Sequence, residues 1–364
     1  MAAANVALLL WGTAAAIVAG GAMAWTVLAW RGVEVSAQFI PSRVFAGEPT
    51  QLRVRVVNGK RLPLPMVRVR AWLPPGVVAE GEFTSHTIRG FDRRAMLPGR
   101  SEVQMEFPAS PRRRGEFWLE KVEVELADPF ALVPLRRTMN PEADLLVMPE
   151  LRATVPLRLM RRIPFGAPAA AARIFESRER FAGVRSYEPG DPLNRIHWKL
   201  TGHVGGLQTK LFEPTRTADV LLALDLSVGE PFWDAVFPKI AEETIGWACF
   251  LARQAIHGGW RVAMVANTHL KRGRGPLRVP AATTSGHEAA LFAALARMPN
   301  EPTSDLAPVL REVGRQLGSN TTVVVVSPQP GYWLQEGMAV LRRRGAQVVH
   351  LSPLDAALER ARGE

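Results

Sequence analysis

No charged side chain occurs before Arg31. Val6–Trp30 reads VALLLWGTAAAIVAGGAMAWTVLAW, with two threonines as its only polar interruptions. About 20 apolar residues cross a hydrocarbon core, so this run predicts a transmembrane anchor over residues 4–31, with Trp25 and Trp30 as interfacial anchors. A cleaved signal peptide is the competing reading, with Ala22-Met23-Ala24 as its cleavage site; the length of the run and the lack of a basic leader argue against it. Splitting the run at Gly20-Gly21 would leave pieces of about 20 Å, too short to span. Arg31 and Arg43 follow the run. The positive-inside rule then predicts a single-pass anchor in the cytoplasmic membrane with the soluble bulk in the cytoplasm.

The rest of the 364 residues, at 47% hydrophobic and 22% charged overall, has the composition of folded domains rather than of a disordered chain. A single cysteine, Cys249, excludes a disulfide scaffold and multi-thiolate metal sites. The formal charge of +11 is unevenly placed: residues 31–150 carry +3, residues 217–364 carry +1, and the connecting stretch 151–216 carries +7. Nucleic-acid binding would spread a basic face over a folded domain, so no nucleic acid is expected as a partner.

Two domains are predicted, an all-β one and an α/β one. From residue 33 to 150 the sequence alternates at period two: Gln51–Val57 sets Leu52, Val54 and Val56 against Gln51, Arg53 and Arg55, and Glu102–Phe107 and Lys121–Leu126 repeat the rule. Turn formers (Asn58-Gly59, Pro74-Pro75-Gly76, Pro98-Gly99) separate these runs, which points to an immunoglobulin-like β-sandwich. From 217 to 364 the pattern changes to buried apolar strands (219–225, 260–266, 321–326, 346–351) alternating with helices near 232–256, 286–298, 304–317 and 332–344. That alternation predicts a doubly wound parallel sheet, whose site lies beyond the carboxyl ends of its strands. Asp225, Ser227, Thr303, Ser304, Asp305 and Ser327 fall there.

Little catalytic vocabulary is present. There is no G-x-x-x-x-G-K-[ST], no G-x-G-x-x-G after a strand, no H-E-x-x-H and no G-x-S-x-G. Cys249 lies in the apolar stretch TIGWACFLA and reads as an inert buried thiol. His197 and His203 lack a third ligand in the sequence and read as structural or solvent-facing. Asp225-Leu-Ser227 remains: a carboxylate and a hydroxyl leaving a strand are hard ligands that suit Mg²⁺, with Thr303, Ser304 or Asp305 adding an oxygen. The other reading is that Asp225 caps its own loop by accepting backbone N–H bonds.

Four segments together resemble the domain-of-unknown-function family 58. They are Arg113-Arg114-Gly115 with Ala127-Asp128-Pro129-Phe130; Leu62-Pro63-Leu64-Pro65; the long run Gly183-Val-Arg-Ser-Tyr187-Glu-Pro189-Gly190-Asp191-Pro-Leu-Asn-Arg195-Ile-His197-Trp198-Lys199 with Phe212-Glu213; and Leu224-Asp225-Leu-Ser227. The resemblance implies a membrane-anchored protein with a C-terminal von Willebrand factor A-like domain, associated with MoxR-type AAA+ ATPases in chaperone-like maturation or envelope maintenance. It also implies an adhesion-type metal site, to which Asp225, Ser227 and Thr303 correspond. The pattern wanted beyond them fails at Gly229 and after Val326, where no acid follows, so the site is degenerate and the structural reading of Asp225 carries more weight. Many relatives begin with two transmembrane helices; one run fits here.

Within the long run, which we term the signature segment, Pro189–Pro192 predicts a tight turn, and Tyr187, Gly190, Asp191, Arg195, His197, Trp198 and Lys199 are the candidate partner-binding residues. The alternative is that Trp198 and Ile196 pack the segment onto the sheet. The +7 stretch also offers contact to anionic lipid. The expectation is a membrane-tethered, non-enzymatic adaptor without a cofactor beyond a weak Mg²⁺ site, binding a protein partner. The alternative is a component of an envelope enzyme system, transglutaminase- or hydrolase-associated, using Asp225, His197 and bound Mg²⁺.

Overall fold

The computed structural model describes residues 2–355 except 80–83, 86–87, 130–131, 151–154, 164–174, 190, 192, 194–195, 216–218, 229–230, 232–236, 271–274, 283, 285 and 318–320. Two compact units result, Met1–Glu150 and Leu151–Glu364.

The first unit opens with helix α1 (Ala2–Ala29), whose stretch Leu8–Ala29 has a mean hydropathy of 1.6 and is long and apolar enough to cross a membrane. Twelve strands follow: β1 (Val33–Ile40), β2 (Arg43–Phe45), β3 (Thr50–Asn58), β4 (Leu64–Trp72), β5 (Val77–Ala79), β6 (Thr84–Ser85), β7 (Ile88–Leu97), β8 (Ser101–Pro111), β9 (Gly115–Trp118), β10 (Lys121–Ala127), β11 (Pro134–Met139) and β12 (Asp144–Met148). They form sheets ordered β1-β3-β8-β5, β11-β10-β4-β7-β6 and β2-β12-β9. Period-two alternation does what it should. Leu52, Val54, Val56, Met105 and Phe107 from one sheet and Val67, Val69, Val122, Val124 and Leu126 from another are buried in one core. Phe91 stacks on Phe107 at 4.9 Å between centroids. The outward residues pair across the strands, Arg53 with Glu106, Arg55 with Glu102, and Arg70 with Glu123.

Trp25 and Trp30 depart from expectation. Trp25 and Ala29 belong to the β-sandwich core, and Trp30 lies under the Arg137 guanidinium, 4.6 Å from its ring centroid. Val18, Ala22, Trp25 and Ala29 fall at spacings of four, three and four, so they share the one helix face that is withdrawn from solvent. These tryptophans fasten the helix to its domain instead of standing free at a bilayer surface.

The second unit contains α2 (Leu157–Met160), β13 (Phe175–Ser186), α3 (Trp198–Val204), β14 (Gln208–Thr215), β15 (Asp219–Leu224), α4 (Pro238–His257), β16 (Arg261–Ala266), β17 (Arg278–Ala282), α5 (His287–Arg297), α6 (Leu306–Val313), β18 (Thr322–Val326), α7 (Tyr332–Arg343) and β19 (Gln347–Leu351). β13 and β14 make an antiparallel hairpin; the other strands form a sheet ordered β17-β16-β15-β18-β19. β15, β16, β18 and β19 run parallel as expected, but β17 is antiparallel to β16, so the sheet is mixed. Pro280 explains its place: proline cannot donate to a ladder and is tolerated at an edge. The central strands β15 and β18 are buried on both faces. Leu221, Ala223, Val323 and Val325 pack with Leu306, Leu310, Leu334 and Met338 of α6 and α7, and the alternate residues Leu222, Leu224 and Val324 point the other way. Bidentate pairs Arg261–Asp219 and Arg278–Glu312 tie β16 to β15 and β17 to α6.

Candidate functional site

Asp225 leaves β15 at the carboxyl edge of the parallel sheet, with its backbone N–H on the Val326 carbonyl at 2.9 Å. Its carboxylate is fully committed. Oδ1 accepts from the Ser227 N–H at 3.0 Å and from Asn267 Nδ2 at 2.7 Å; Oδ2 accepts from Ser327 Oγ at 2.9 Å. Asn267 follows β16 directly and is completely buried. Its Oδ1 accepts the Leu226 N–H at 2.9 Å, which fixes the amide's orientation and turns Nδ2 toward both Asp225 Oδ1 and Ser227 Oγ, the latter at 2.8 Å. Burial outweighs these hydrogen bonds for the carboxylate and pushes the Asp225 pKa up to about 6.

The sequence suggested a Mg²⁺ site on Asp225, Ser227 and Thr303; here the Asn267 amide nitrogen bridges Asp225 Oδ1 and Ser227 Oγ. The Thr303 hydroxyl is turned to the Asn267 carbonyl, 3.4 Å away, and Thr303 N–H donates to the same oxygen at 2.8 Å. Among the described residues no group of three or more His, Cys, Asp or Glu side chains could hold a metal. Asp225, Ser227 and Asp305 do line a small pocket with Gly331 and Trp333, with about 20 Å³ of free volume, the room of a single water. The Ser304 hydroxyl is buried without a hydrogen-bond partner in the protein.

A serine, a histidine and an acid also meet here, yet not as a nucleophilic triad. Ser327 Oγ donates to Asp225, whereas His350 Nε2 meets the Ser327 backbone carbonyl at 3.3 Å and is held below its ordinary pKa by burial. The group on the Ser327 proton is the Asp225 carboxylate and not the imidazole, so the three do not form a serine–histidine–acid relay. Cys249 is buried in α4, and burial pushes its thiol up to about 12, far from thiolate chemistry at neutral pH.

The signature segment is organised by Asp191. Its carboxylate accepts from the Glu188 N–H at 3.1 Å, from Thr209 Oγ1 at 3.1 Å and from Arg185 Nη2 at 2.7 Å. These contacts, led by the backbone N–H, hold its pKa below the usual carboxylate value. Tyr187 joins the hairpin through its N–H to the Leu207 carbonyl, and Ile196 is buried in a bridge to Thr209. His197 caps α3: Nδ1 accepts the Leu200 N–H at 3.1 Å, and Gly205, in the left-handed region, closes the other end. Trp198 and Lys199 therefore begin a pinned helical turn and point outward; Trp198 is 68% exposed, beside Leu193 at 68% and Val204 at 60%. Gly190 and Arg195 lie outside the described residues.

The geometry thus separates the described candidates into a half-buried frame (Tyr187, Asp191, His197) beside the buried Ile196, and an outward face (Trp198, Lys199). Asn267 escaped the sequence reading; its one signal was a polar pair, Asn267-Thr268, at the end of an apolar strand.

Residues 183–358 match the family described as "Protein of unknown function DUF58". Over those residues the chain is similar to the DUF58 family. Relatives include the uncharacterized protein YeaD of Bacillus subtilis, 24% identical over 57% of this chain and 51% of that protein. The uncharacterized protein Rv1480 of Mycobacterium tuberculosis is 26% identical over 48% of this chain and 55% of its own. The chain spans about half the length of the curated relatives it matches. Among solved structures, the CARDB domain of a Pyrococcus furiosus protein in complex with di-metal ions aligns over 32% of this chain and 96% of its own, at 16% identity and a TM-score of 0.22.

Proposed function

We propose that this protein is a membrane-tethered, non-enzymatic adaptor whose second unit, a von Willebrand factor A-like module, docks a protein partner. The observation that carries the reading is the signature segment: conformationally pinned by Asp191 and His197, it presents Trp198, Leu193 and Val204 to solvent. Ordering a backbone to display an exposed tryptophan costs stability unless a partner covers it, and tryptophan and arginine anchor interfaces. Lack of a phosphate cradle in the sequence and the committed Asp225 carboxylate favour binding over catalysis. An AAA+ ATPase of the MoxR type is the partner the family resemblance suggests, acting in chaperone-like or envelope maintenance, with α1 as the anchor.

The test is affinity purification of the full chain from gently solubilised native membranes, wild type beside a W198S/K199E variant, with co-purifying proteins identified by mass spectrometry. An ATPase recovered at near-stoichiometric level with the wild type and reduced tenfold or more with the variant supports the reading, since one hot-spot tryptophan is worth about 2 kcal/mol or more. Equal recovery of the same partners by both proteins removes the signature face from the interface.

A further inference from the structure

Three turns of the first unit close around the exit of α1. The Gly59 N–H donates to the Gly32 carbonyl and the Arg100 N–H to the Lys60 carbonyl, both at 2.8 Å. Asn58 Nδ2 bonds the Leu62 and Pro98 carbonyls, each at 2.9 Å, and Gly99 lies so close to the Arg61 backbone that a Cβ there would clash at 2.1 Å. Lys60 Nζ donates to the last carbonyls of the helix, those of Ala29 and, at 3.1 Å, Arg31. Arg31, Lys60, Arg61 and Arg100 are thereby gathered at one place, with Arg137 over Trp30 beside them. Among the described residues none of these five forms an ion pair, while Arg53, Arg55, Arg68 and Arg70 on the strand faces all do. Arg31, Arg61, Arg100 and Arg137 are exposed. Of the acids near them in sequence, Glu102 is paired with Arg55, and Glu34 alone leaves the group cationic.

Helix length says what faces this collar. Ala2–Gly21 supplies roughly 30 Å of helix, the thickness of a hydrocarbon core. Ala22, the first fully buried residue of the helix, then falls at the edge of the core. The helix exit falls about 10 Å further, a few ångströms beyond a headgroup layer about 5–7 Å deep, a gap that long Lys and Arg side chains reach back across.

We infer that Arg31, Lys60, Arg61 and Arg100 form a phosphate-binding collar for anionic phospholipid headgroups, which seats the β-sandwich flush on the membrane surface. The inference rests on α1 spanning the bilayer. Because Ala22, Trp25 and Ala29 lock the helix to the domain, the collar is held at a fixed depth instead of searching for lipid on a flexible tether.

The test reconstitutes the full chain into vesicles of phosphatidylcholine with a minor share of phosphatidylglycerol, then reads the ratio of the two lipids retained on the released protein by native mass spectrometry. Each near-surface cation is worth about a fivefold preference, so R31Q/R61Q/R100Q should lower the retained phosphatidylglycerol ratio by up to about a hundredfold. R31K/R61K/R100K, which keeps the charge and guards against a folding defect, should retain it. A wild type without enrichment, or a glutamine variant enriched equally, overturns the collar. Flotation with the vesicles after an alkaline carbonate wash separates the two claims: if neither protein floats, the anchor fails; if both float and neither prefers phosphatidylglycerol, only the collar fails.

Discussion

Asn267 shows how one amide changes the chemistry of an edge. Its Nδ2 supplies two hydrogen bonds that join Asp225 to Ser227, and its own orientation is fixed from the backbone side. Asp225 was legible in the sequence because an acid ends an apolar strand. Its partner was not, because asparagine after a strand carries no distinguishing pattern and the two are brought together only by β15–β16 pairing. An acid whose pKa rises on folding holds its proton more tightly in the native state. Stability is therefore greatest below its unfolded value near 4, declines as pH climbs through about 6 and is flat above. Asp225→Asn can keep the pattern: its Oδ1 accepts both N–H groups and its Nδ2 donates to Ser327 Oγ. Thermal unfolding at pH 5 and pH 8 should show this variant more stable than wild type at pH 8, by up to about 3 kcal/mol, with the difference shrinking at pH 5 and below. Asp225→Ala, which strands buried donors, should lose about 1–3 kcal/mol per stranded group at both pH values. An Asp225→Asn protein less stable at pH 8 would mean that the charge itself is wanted, as by a cation.

At the scale of elements, the strands of the β-sandwich and of the parallel sheet were readable because burial on one face or both imposes a period. Helix α1 was readable as an apolar run, but not its seated face: where every residue is apolar, hydropathy has no contrast with which to mark Val18, Ala22, Trp25 and Ala29. The hairpin β13–β14 went unread because Phe175–Ser186 mixes charges without alternation, and β17 because it is a five-residue edge strand containing Pro280. Half of the turn expected at Pro189–Pro192 lies outside the described residues (Gly190, Pro192), while Asp191 does accept a bond from its own backbone neighbourhood, the Glu188 N–H. The cap at α3 gives a local prediction. His197→Ala removes the acceptor for the Leu200 N–H and should cost about 1 kcal/mol, read as roughly fivefold faster hydrogen exchange at that amide; His197→Asn should restore protection. Unchanged exchange in His197→Ala would show that the half-exposed ring contributes no cap.

For the molecule as a whole, charge and apolar surface are sorted by unit. The first unit pairs Arg53, Arg55, Arg68, Arg70 and Arg136 with acids across its strands and leaves cations unpaired at the helix exit among the described residues; the second exposes a tryptophan on the connection of a hairpin that Asp191 organises. On the proposed reading, that division gives the membrane to the first unit and a protein partner to the second. The composition pointed to the +7 connecting stretch as a lipid-facing candidate, and much of that stretch lies outside the described residues; among the described residues, unpaired cations also gather in the near-neutral first domain, because net charge over a segment does not say which charges are already paired.

The measurement that tests the central claim most directly is photo-crosslinking from a benzoylphenylalanine placed at position 198 of the full chain in its native membrane. The account predicts one dominant cross-linked protein, an AAA+ ATPase, absent when the same probe sits at the buried position Val124. No crosslink from position 198, or a diffuse set no different from that of an unrelated exposed site such as Leu157, would contradict it.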